Sequence, residues 1–245
     1  MSLARRIGIL AGGGSLPREV ADSVAARGTP LHIVAIDSEA DADLDPYPVT
    51  RVGWGEIGRM IRAFNDAGVT DLVIIGSVRR PDLGAIRPDL GFFRALATVG
   101  RLVLAGGDDR VLRGVIAFFE SKGLRVVGPA RVAPELVISA GTIGKRPLDE
   151  RQIADARLGF DLIGALGAFD IGQAAIVSNG RIEAIEGAEG TDRLLRRVGE
   201  QRRARGVAPG STSGLLVKRA KPAQDQRIDL PVIGPETITR AVETG

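Results

Sequence analysis

The 245-residue sequence predicts an α/β protein, with a Rossmann-like N-terminal domain on a parallel sheet and a second α/β domain at the C-terminus, joined by a linker. In the first half of the chain, short apolar segments alternate with helical segments, the pattern of a doubly wound parallel sheet. A glycine-rich turn follows the first apolar segment, and a stretch near the middle shows no clean periodicity. We therefore predict a first domain over 1–130, a linker over 131–148 and a second α/β domain over 149–245.

Each predicted element of the first domain has a local signal. The first helix is expected from Leu16 to about Ala26, because Pro17 suits a first helical turn and Gly28 lies just past the end. The polar, proline-containing stretch 38–50 is predicted to be a loop. The predicted strands are 7–11, 31–37, 71–78 and 124–128, and the predicted helices are 16–26, 55–67 and 106–123, the last with Leu112, Val115, Ile116 and Phe119 on one apolar face.

The second domain is predicted to contain a hairpin, a further strand and helices on both sides of them in the chain. Asn179-Gly180 separates two apolar-rich strands, which predicts a β-hairpin with a type I′ turn. A helix capped by Thr191, a strand over 213–219 and a short C-terminal helix follow. The first helix of the domain covers 149–168, and its apolar stripe is Ile153, Ala156, Phe160 and Ile163.

The composition excludes several kinds of catalytic site. Cysteine is absent, so the chain offers no thiolate nucleophile, no cysteine-ligated zinc and no disulfide. The single histidine, His32, falls in a predicted buried strand, which argues against a serine–histidine triad or a histidine-rich zinc site. Carboxylates, lysine, arginine, backbone amides and a hard cation such as Mg²⁺ remain, and these groups suit phosphate chemistry.

The charge balance suits a small anionic substrate or loose attraction to an acidic membrane surface, and the absence of cysteine fits a reducing, cytoplasmic compartment. The net charge is only +3 and aromatic residues make up 4%, which argues against a nucleic-acid partner. There is no run of about 18 apolar residues that could span a membrane. The basic start and short apolar stretch of MSLARRIGILAGGGSLP are too short for a signal peptide, so we interpret them as the first strand.

The first candidate site is Gly12-Gly13-Gly14-Ser15, between a predicted strand and a predicted helix. Glycines let the backbone approach a phosphate closely, and a helix N-terminus supplies free amides and a favourable dipole. The spacing is not G-x-G-x-x-G and no Walker lysine follows, so a plain tight turn stays open as an alternative. Gly76-Ser77 ends another parallel strand and is expected at the same carboxyl edge, where open α/β sheets bind ligands.

Two further candidates lie in the second half. The loop from Glu186 to Asp192 carries three carboxylates and runs into a helix, so it could hold Mg²⁺ and an anion, or could be a solvated loop with a helix cap. The segment 218–227 places basic groups around Asp225, as a diphosphate and its metal would require, although such runs are usually solvated. The stretch around Arg146 is a weaker candidate that a linker explains nearly as well.

Taken together, these stretches resemble one family, the UDP-2,3-diacylglucosamine pyrophosphatases of lipid A biosynthesis that are unrelated to the calcineurin-like phosphoesterases. The resemblance is carried, in order, by IGILAGGGSLP, IIGSVRRP, GGDDRVLR, AIEGAEGTD and VKRAKPAQDQRIDLPVIGPETI. It implies Mg²⁺-dependent hydrolysis of UDP-2,3-diacylglucosamine to 2,3-diacylglucosamine 1-phosphate (lipid X) and UMP, with water attacking the phosphorus on the sugar side. It also implies a nucleotide-binding domain over 1–130 and a catalytic domain over 149–245 that enclose the substrate, and brief peripheral contact with the inner membrane surface.

The resemblance assigns roles to individual residues. It implies that Asp225 is the residue on which activity depends, as a ligand of Mg²⁺ or as the group that orients the attacking water, with Asp192 as a further metal ligand. The predicted substrate-binding residues, from the resemblance and from the candidate segments above, are Gly12, Gly13, Gly14, Ser15, Gly76, Ser77, Arg146, Glu189, Gly190, Thr191, Asp192, Lys218 and Lys221. Family members usually continue past VIGPETI with another strand–helix unit, so at Gly245 we expect a truncated C-terminus or an incomplete last sheet edge.

Two other functions remain open from the sequence. Asp37 follows the second predicted strand and could hold a ribose, as in an NAD(P)-dependent Rossmann oxidoreductase, although the glycine fingerprint is imperfect. A non-catalytic protein that binds a nucleotide sugar or a lipid is the other alternative. A homo-oligomer is compatible with the sequence, which leaves the oligomeric state open.

Overall fold

The computed structural model describes residues 5–78, 87–93, 108–169, 171–208, 214–222, 224–228 and 230–245. The chain forms two compact units, the first made of Met1–Ser139 with Asp225–Ile228, and the second of Ala140–Gln224 with Asp229–Gly245. The first unit therefore extends past the predicted boundary at 130. It also contains the segment Asp225–Ile228, which the prediction assigns to the second domain. The physical reason is burial: Val132 and Ala133 belong to the first unit's core, and Ile228 packs against it.

A five-stranded sheet with every neighbouring pair parallel forms the centre of the first unit, in the order β3-β2-β1-β4-β5. This is the Rossmann order. Successive strands are placed toward one side of β1 as far as β3 and toward the other side from β4 onward, so the strand order reverses between β1 and β4. The fold prediction is confirmed. The elements are β1 (Ile7–Ala11), α1 (Leu16–Ala26), β2 (Leu31–Ile36), β3 (Val49–Val52), α2 (Ile57–Asp66), β4 (Asp71–Ile75), α3 (Asp108–Glu120), β5 (Arg125–Val126), α4 (Pro129–Val132) and a 3₁₀ turn (Pro134–Leu136).

One strand of this sheet was missed. Strand β3 begins inside the stretch 38–50 that we had predicted to be a loop, and it pairs with β2 alone at the sheet edge. Its sequence, VTRV, is short, and only Val52 is buried, so it lacks the continuous apolar run of a central parallel strand.

Each face of the parallel sheet carries its own core, since side chains alternate along a strand. Leu72 lies in the cluster with Phe64 of α2 and Phe119 of α3, whereas Val73, the next residue, lies in the cluster with Val20 of α1. The predicted apolar face of α3 is confirmed, with Ile116 and Phe119 buried.

An antiparallel sheet of order β7-β6-β8 lies between helices in the second unit. Ala174 and Ile176 of the central strand pack with the second helix of this unit, and Ala175 and Val177 with the first. The hairpin is confirmed, since Asn179 and Gly180 have φ values of 52° and 73° as a type I′ turn requires. The elements are α5 (Glu150–Leu166), a 3₁₀ turn (Gly167–Phe169), β6 (Ala174–Ser178), β7 (Arg181–Ile185), α6 (Thr191–Ala204), β8 (Leu215–Lys218) and α7 (Pro235–Thr244).

The predicted apolar stripe of α5 is wrong in part. Ile153 and Phe160 are 40% and 41% exposed, and the face toward the sheet is formed by Asp155, Gly159 and Ile163. Gly159 is needed at this contact, because a Cβ there would lie 2.8 Å from the Val217 side chain of β8. The prediction failed because it searched for apolar periodicity, and two of the three residues on the buried face are a glycine and a carboxylate.

Asp155 fixes the hairpin to α5. Its carboxylate is 5% exposed and accepts the backbone amides of Asn179 (2.9 Å) and Gly180 (2.6 Å). Asp155→Ala would leave both amides without a partner in a buried place, so we expect a loss of about 3 kcal/mol in the free energy of unfolding. Urea denaturation measures this loss, with the exposed Asp161→Ala on the same helix as the control; equal stabilities of the two variants would contradict the role of Asp155.

Among the residues that the structure describes, none of the helices combines the length and the apolarity that crossing a bilayer requires.

Candidate functional site

Two predicted nucleotide-binding segments lie side by side at the carboxyl edge of the parallel sheet. Gly12–Ser15 follows β1, Gly76-Ser77 follows β4, and the two are joined by a two-residue bridge. The amide of Gly13 donates to the Ser77 carbonyl (2.7 Å), and the amide of Ser77 donates back to the Gly13 carbonyl (2.9 Å). Because β1 and β4 flank the point where the strand order reverses, this edge is where an open α/β sheet binds its ligand.

Close backbone contact explains two of these glycines. A Cβ on Gly76 would lie 2.7 Å from the carbonyl carbon of Gly12, and a Cβ on Gly12 would lie 2.5 Å from the carbonyl oxygen of Ser77. Gly76 also has a φ of 101°, which other residues rarely adopt. The glycines therefore let the ends of β1 and β4 approach each other.

The amides of the glycine loop already have protein partners. Gly12 donates to the Ile75 carbonyl (2.9 Å), Gly13 to Ser77, and Gly14 to the carboxylate of Asp41 (2.7 Å). Ser15 is the N-cap of α1, yet its side chain makes no capping hydrogen bond, and it is exposed together with Gly14. In this arrangement, the Ser15 hydroxyl at the start of α1 is better placed for a ligand than the three glycine amides are.

The segment that contains Asp225 lies at the same edge of the first unit's sheet. Gly128 follows β5, and its backbone faces this segment: a Cβ on Gly128 would lie 3.3 Å from the Cα of Arg227 and 3.4 Å from the Gln226 carbonyl oxygen. Ile228 packs against the core cluster that contains Val126 of β5. The structure thus brings Asp225 to the sheet edge that carries the two glycine segments.

Arg227 holds the Asp225 carboxylate through both oxygens. Its Nε lies 3.0 Å from Oδ1 and its Nη2 lies 2.8 Å from Oδ2, while the Arg227 amide also donates to Oδ1 (3.0 Å). These hydrogen bonds lower the pKa of Asp225, and the positive charge of Arg113 on α3 lowers it further. A carboxylate with a lowered pKa is a weak base, so its chemistry favours binding a cation or orienting water by accepting a hydrogen bond.

The residues around Asp225 fit a magnesium ion that takes most of its ligands from a substrate. Within the described part of the chain, no group of three or more histidine or acidic residues is positioned to enclose a metal. Mg²⁺ is commonly bound by one or two carboxylates together with substrate phosphates and water, and the 19% exposed Asp225 carboxylate can supply one such oxygen.

In the second unit, the helix after the acidic loop begins differently from the prediction. The N-cap of α6 is Gly190, with a φ of 81°, and Thr191 is the first helical residue. The hydroxyl of Thr191 does not cap the helix but donates to Oε1 of Glu186 (2.6 Å). The predicted cap at Thr191 is therefore wrong, because a buried carboxylate competes for its hydroxyl.

Glu186 organises this end of the second unit, a role that the sequence reasoning missed. It is 6% exposed, and its other oxygen accepts the amide of Gln173 (2.7 Å). Lys218 donates through Nζ to Oγ1 of Thr191 (3.0 Å) and to the Val232 carbonyl (2.7 Å). The result is an ammonium held beside the N-terminus of α6, where the helix dipole also favours an anion. The signal in the sequence was an acid directly after the second strand of the predicted hairpin.

The other acidic candidates have basic partners. Glu189 pairs with Arg197 on the next turns of α6 (2.8 Å). Asp192 is 56% exposed on its side chain and lies 3.8 Å from Nε of Arg240. The structure brings Gly190, Thr191 and Lys218 together, but it surrounds neither acid with further carboxylates, so Asp192 as a metal ligand stays a prediction.

The last two candidates differ in burial. Lys221 is 9% exposed, and its amide donates to the side-chain oxygen of Gln224 (2.7 Å). Arg146 lies in the exposed, irregular stretch before α5. The stretch 106–110, which begins the GGDDRVLR motif of the resemblance, falls partly outside the described residues.

Both halves of the chain match known family domains. The family model of the LpxI N-terminal domain matches residues 6–136, and that of the LpxI C-terminal domain matches residues 139–245. The chain is 38% identical over 243 residues to the UDP-2,3-diacylglucosamine pyrophosphatase LpxI of Caulobacter vibrioides, an alignment that covers 98% of this chain and 86% of that relative. A solved structure from Methylobacillus flagellatus, named for an NAD-dependent epimerase/dehydratase, is 12% identical over 50% of this chain and 35% of its own, with a TM-score of 0.27. That likeness is too low to indicate function.

Proposed function

This chain belongs to the LpxI family, and we propose that it hydrolyses the pyrophosphate bond of UDP-2,3-diacylglucosamine to give UMP and 2,3-diacylglucosamine 1-phosphate in lipid A biosynthesis. The observation that carries the proposal is the match of both family domains, together with 38% identity across 98% of the chain to a relative named for this activity. The arrangement of Asp225 at the carboxyl edge of a Rossmann sheet supports it, because this is where such folds bind nucleotides.

We propose that Mg²⁺ is required and that Asp225 is its protein ligand. When bound, the ion would neutralise charge on the diphosphate and polarise the phosphorus–oxygen bonds. Asp225 is prepared for this task, because Arg227 fixes both carboxylate oxygens and keeps the group ionised. Ser15 and the segment Gly76-Ser77 would contact the nucleotide end at the same edge.

Lys218 would contribute positive charge for a phosphate group. Lys218 is held next to Thr191 at the start of α6, where the first amides of the helix would also favour an anion. Glu186 orients the Thr191 hydroxyl, so it positions the donors without contacting the phosphates itself. The attacking water would add to the phosphorus on the sugar side, so its oxygen would end in the lipid product.

The substrate carries two acyl chains, and we propose that the enzyme meets it by peripheral contact with the inner membrane surface from the cytoplasmic side. A net charge of +3 suits an anionic surface, although it is a modest charge.

The test is turnover of UDP-2,3-diacylglucosamine by the purified chain, with Mg²⁺ or with a chelator, in water enriched in ¹⁸O. We expect release of UMP and the sugar 1-phosphate only with the metal, with ¹⁸O in the lipid product by mass spectrometry. Equal turnover with the chelator would overturn the metal requirement, and label in UMP would overturn the site of attack. Substrate binding with no release would leave a non-catalytic binding protein as the function.

A further inference from the structure

Arg227 makes a second ion pair besides the one with Asp225. Its Nη1 lies 2.9 Å from Oε1 of Glu120, the last residue of α3, so the guanidinium bridges two carboxylates. Asp225 takes the Nε and Nη2 side of the planar group, and Glu120 takes Nη1. A planar guanidinium engaged on two sides has little rotational freedom, because its five donors are fixed in one plane.

Glu120 is attached to a rigid part of the first unit. Phe119, its neighbour on α3, is 3% exposed, and Ile116 one turn earlier is 2% exposed, so the end of the helix is anchored in the core. The carboxyl group of Glu120 is itself 42% exposed, so the bond to Arg227 adds little to stability. A contact that contributes little to stability but fixes a guanidinium beside the Asp225 carboxylate is better explained by positioning.

We propose that Glu120 is a positioning residue for Asp225 and that it acts through Arg227. The inference rests on the proposed function, in which the orientation of Asp225 matters for the reaction. Without Glu120, Arg227 can turn about its side-chain bonds, and Asp225 then samples orientations that do not suit the bound diphosphate. Such a loss affects the chemical step, so kcat falls while KM, which reflects the nucleotide and lipid contacts, stays nearly constant.

The test compares Glu120→Ala, Glu120→Gln, Arg227→Gln and the double variant Glu120→Ala/Arg227→Gln. Residues that orient a ligand typically matter about 10- to 100-fold. We expect Glu120→Ala to lower kcat about tenfold with KM within about twofold, and Glu120→Gln to keep most activity because its amide oxygen accepts the same hydrogen bond. Arg227→Gln should cost about 100-fold, and the double variant should lose no more than Arg227→Gln alone.

The control is Glu135→Ala, which breaks another exposed arginine–glutamate pair, with Arg27 just after α1, and should leave kcat unchanged. Full activity of Glu120→Ala, equal losses in its alanine and glutamine variants, or losses that multiply in the double variant would each overturn the inference. Thermal unfolding of every variant distinguishes a loss of folding from a change in the orientation of Asp225. Because Glu120 is exposed, its variants are expected to unfold at nearly the same temperature as the unmodified protein. Absence of turnover in the unmodified protein would instead overturn the proposed function. The Asp225→Ala variant gives the background rate against which that turnover is judged.

Discussion

Asp225→Ala is expected to lower kcat by about a thousandfold or more while the protein stays folded. In the proposed function this carboxylate holds a cation against the substrate, and a metal contact of this kind is worth several kcal/mol in the transition state, or about three powers of ten. The substitution also leaves the Arg227 guanidinium with Glu120 as its remaining carboxylate partner. Stability should fall by no more than about 1 kcal/mol, since the pair is partly exposed.

Initial rates over a range of Mg²⁺ concentrations measure this effect and define the role of the residue. If Asp225 is a metal ligand, then Asp225→Asn, which keeps one oxygen but loses the charge, should be partly restored by high Mg²⁺, and Asp225→Ala should not. Asp66→Ala, an exposed aspartate at the end of α2, is the matched control and should behave like the unmodified protein. Wild-type rates for Asp225→Ala would remove Asp225 from the catalytic machinery.

Gly76→Ala is expected to be the most damaging small substitution for stability, at about 3 kcal/mol or more. Two independent costs add: a φ of 101° that alanine avoids, and a Cβ placed 2.7 Å from the Gly12 carbonyl carbon, where only backbone could yield. The end of β4 would have to move away from β1, and the bridge between Gly13 and Ser77 would break. We therefore also expect weaker nucleotide binding.

Chemical denaturation and UDP titration of the same samples measure both effects. The matched control is Gly14→Ala, because Gly14 has a φ of 88° but nothing lies within 4 Å of its added Cβ. It should cost only the conformational term, about 1–2 kcal/mol. If the two variants were equally stable, the close approach of the two strand ends would not be the reason for glycine at position 76.

Much of the fold was predictable because its signals are local. The first helix of the parallel unit was placed within its observed bounds from Pro17 and Gly28, and the hairpin from Asn179-Gly180. Where the prediction failed, long-range contacts decided the outcome. The face of α5 is chosen by a glycine that fits against Val217, and β3 is a strand because β2 offers it a partner. Neither contact can be seen in a window of neighbouring residues.

The candidate site divides in the same way. The meeting of Gly12 and Gly76 at one edge followed from the parallel order of strands, which the alternation of apolar and helical segments predicts. The position of Asp225 in the first unit did not follow, because it depends on Ile228 finding a place in a core more than 90 residues earlier in the chain. The burial of Glu186 was not predictable for a related reason: its partner Gln173 precedes the hairpin in the chain, and the contact exists only once β6 and β7 are paired.

The return of Asp225–Ile228 to the first unit makes that unit discontinuous along the gene. A fragment cut after Ser139 would contain all five parallel strands and the glycine loop, yet it would lack the carboxylate proposed to carry the reaction and the isoleucine that seals its core. A cut or an exchange made at the boundary after Ser139 therefore separates Asp225–Ile228 from the unit to which this segment belongs. Recombination among relatives should exchange whole chains more readily than halves.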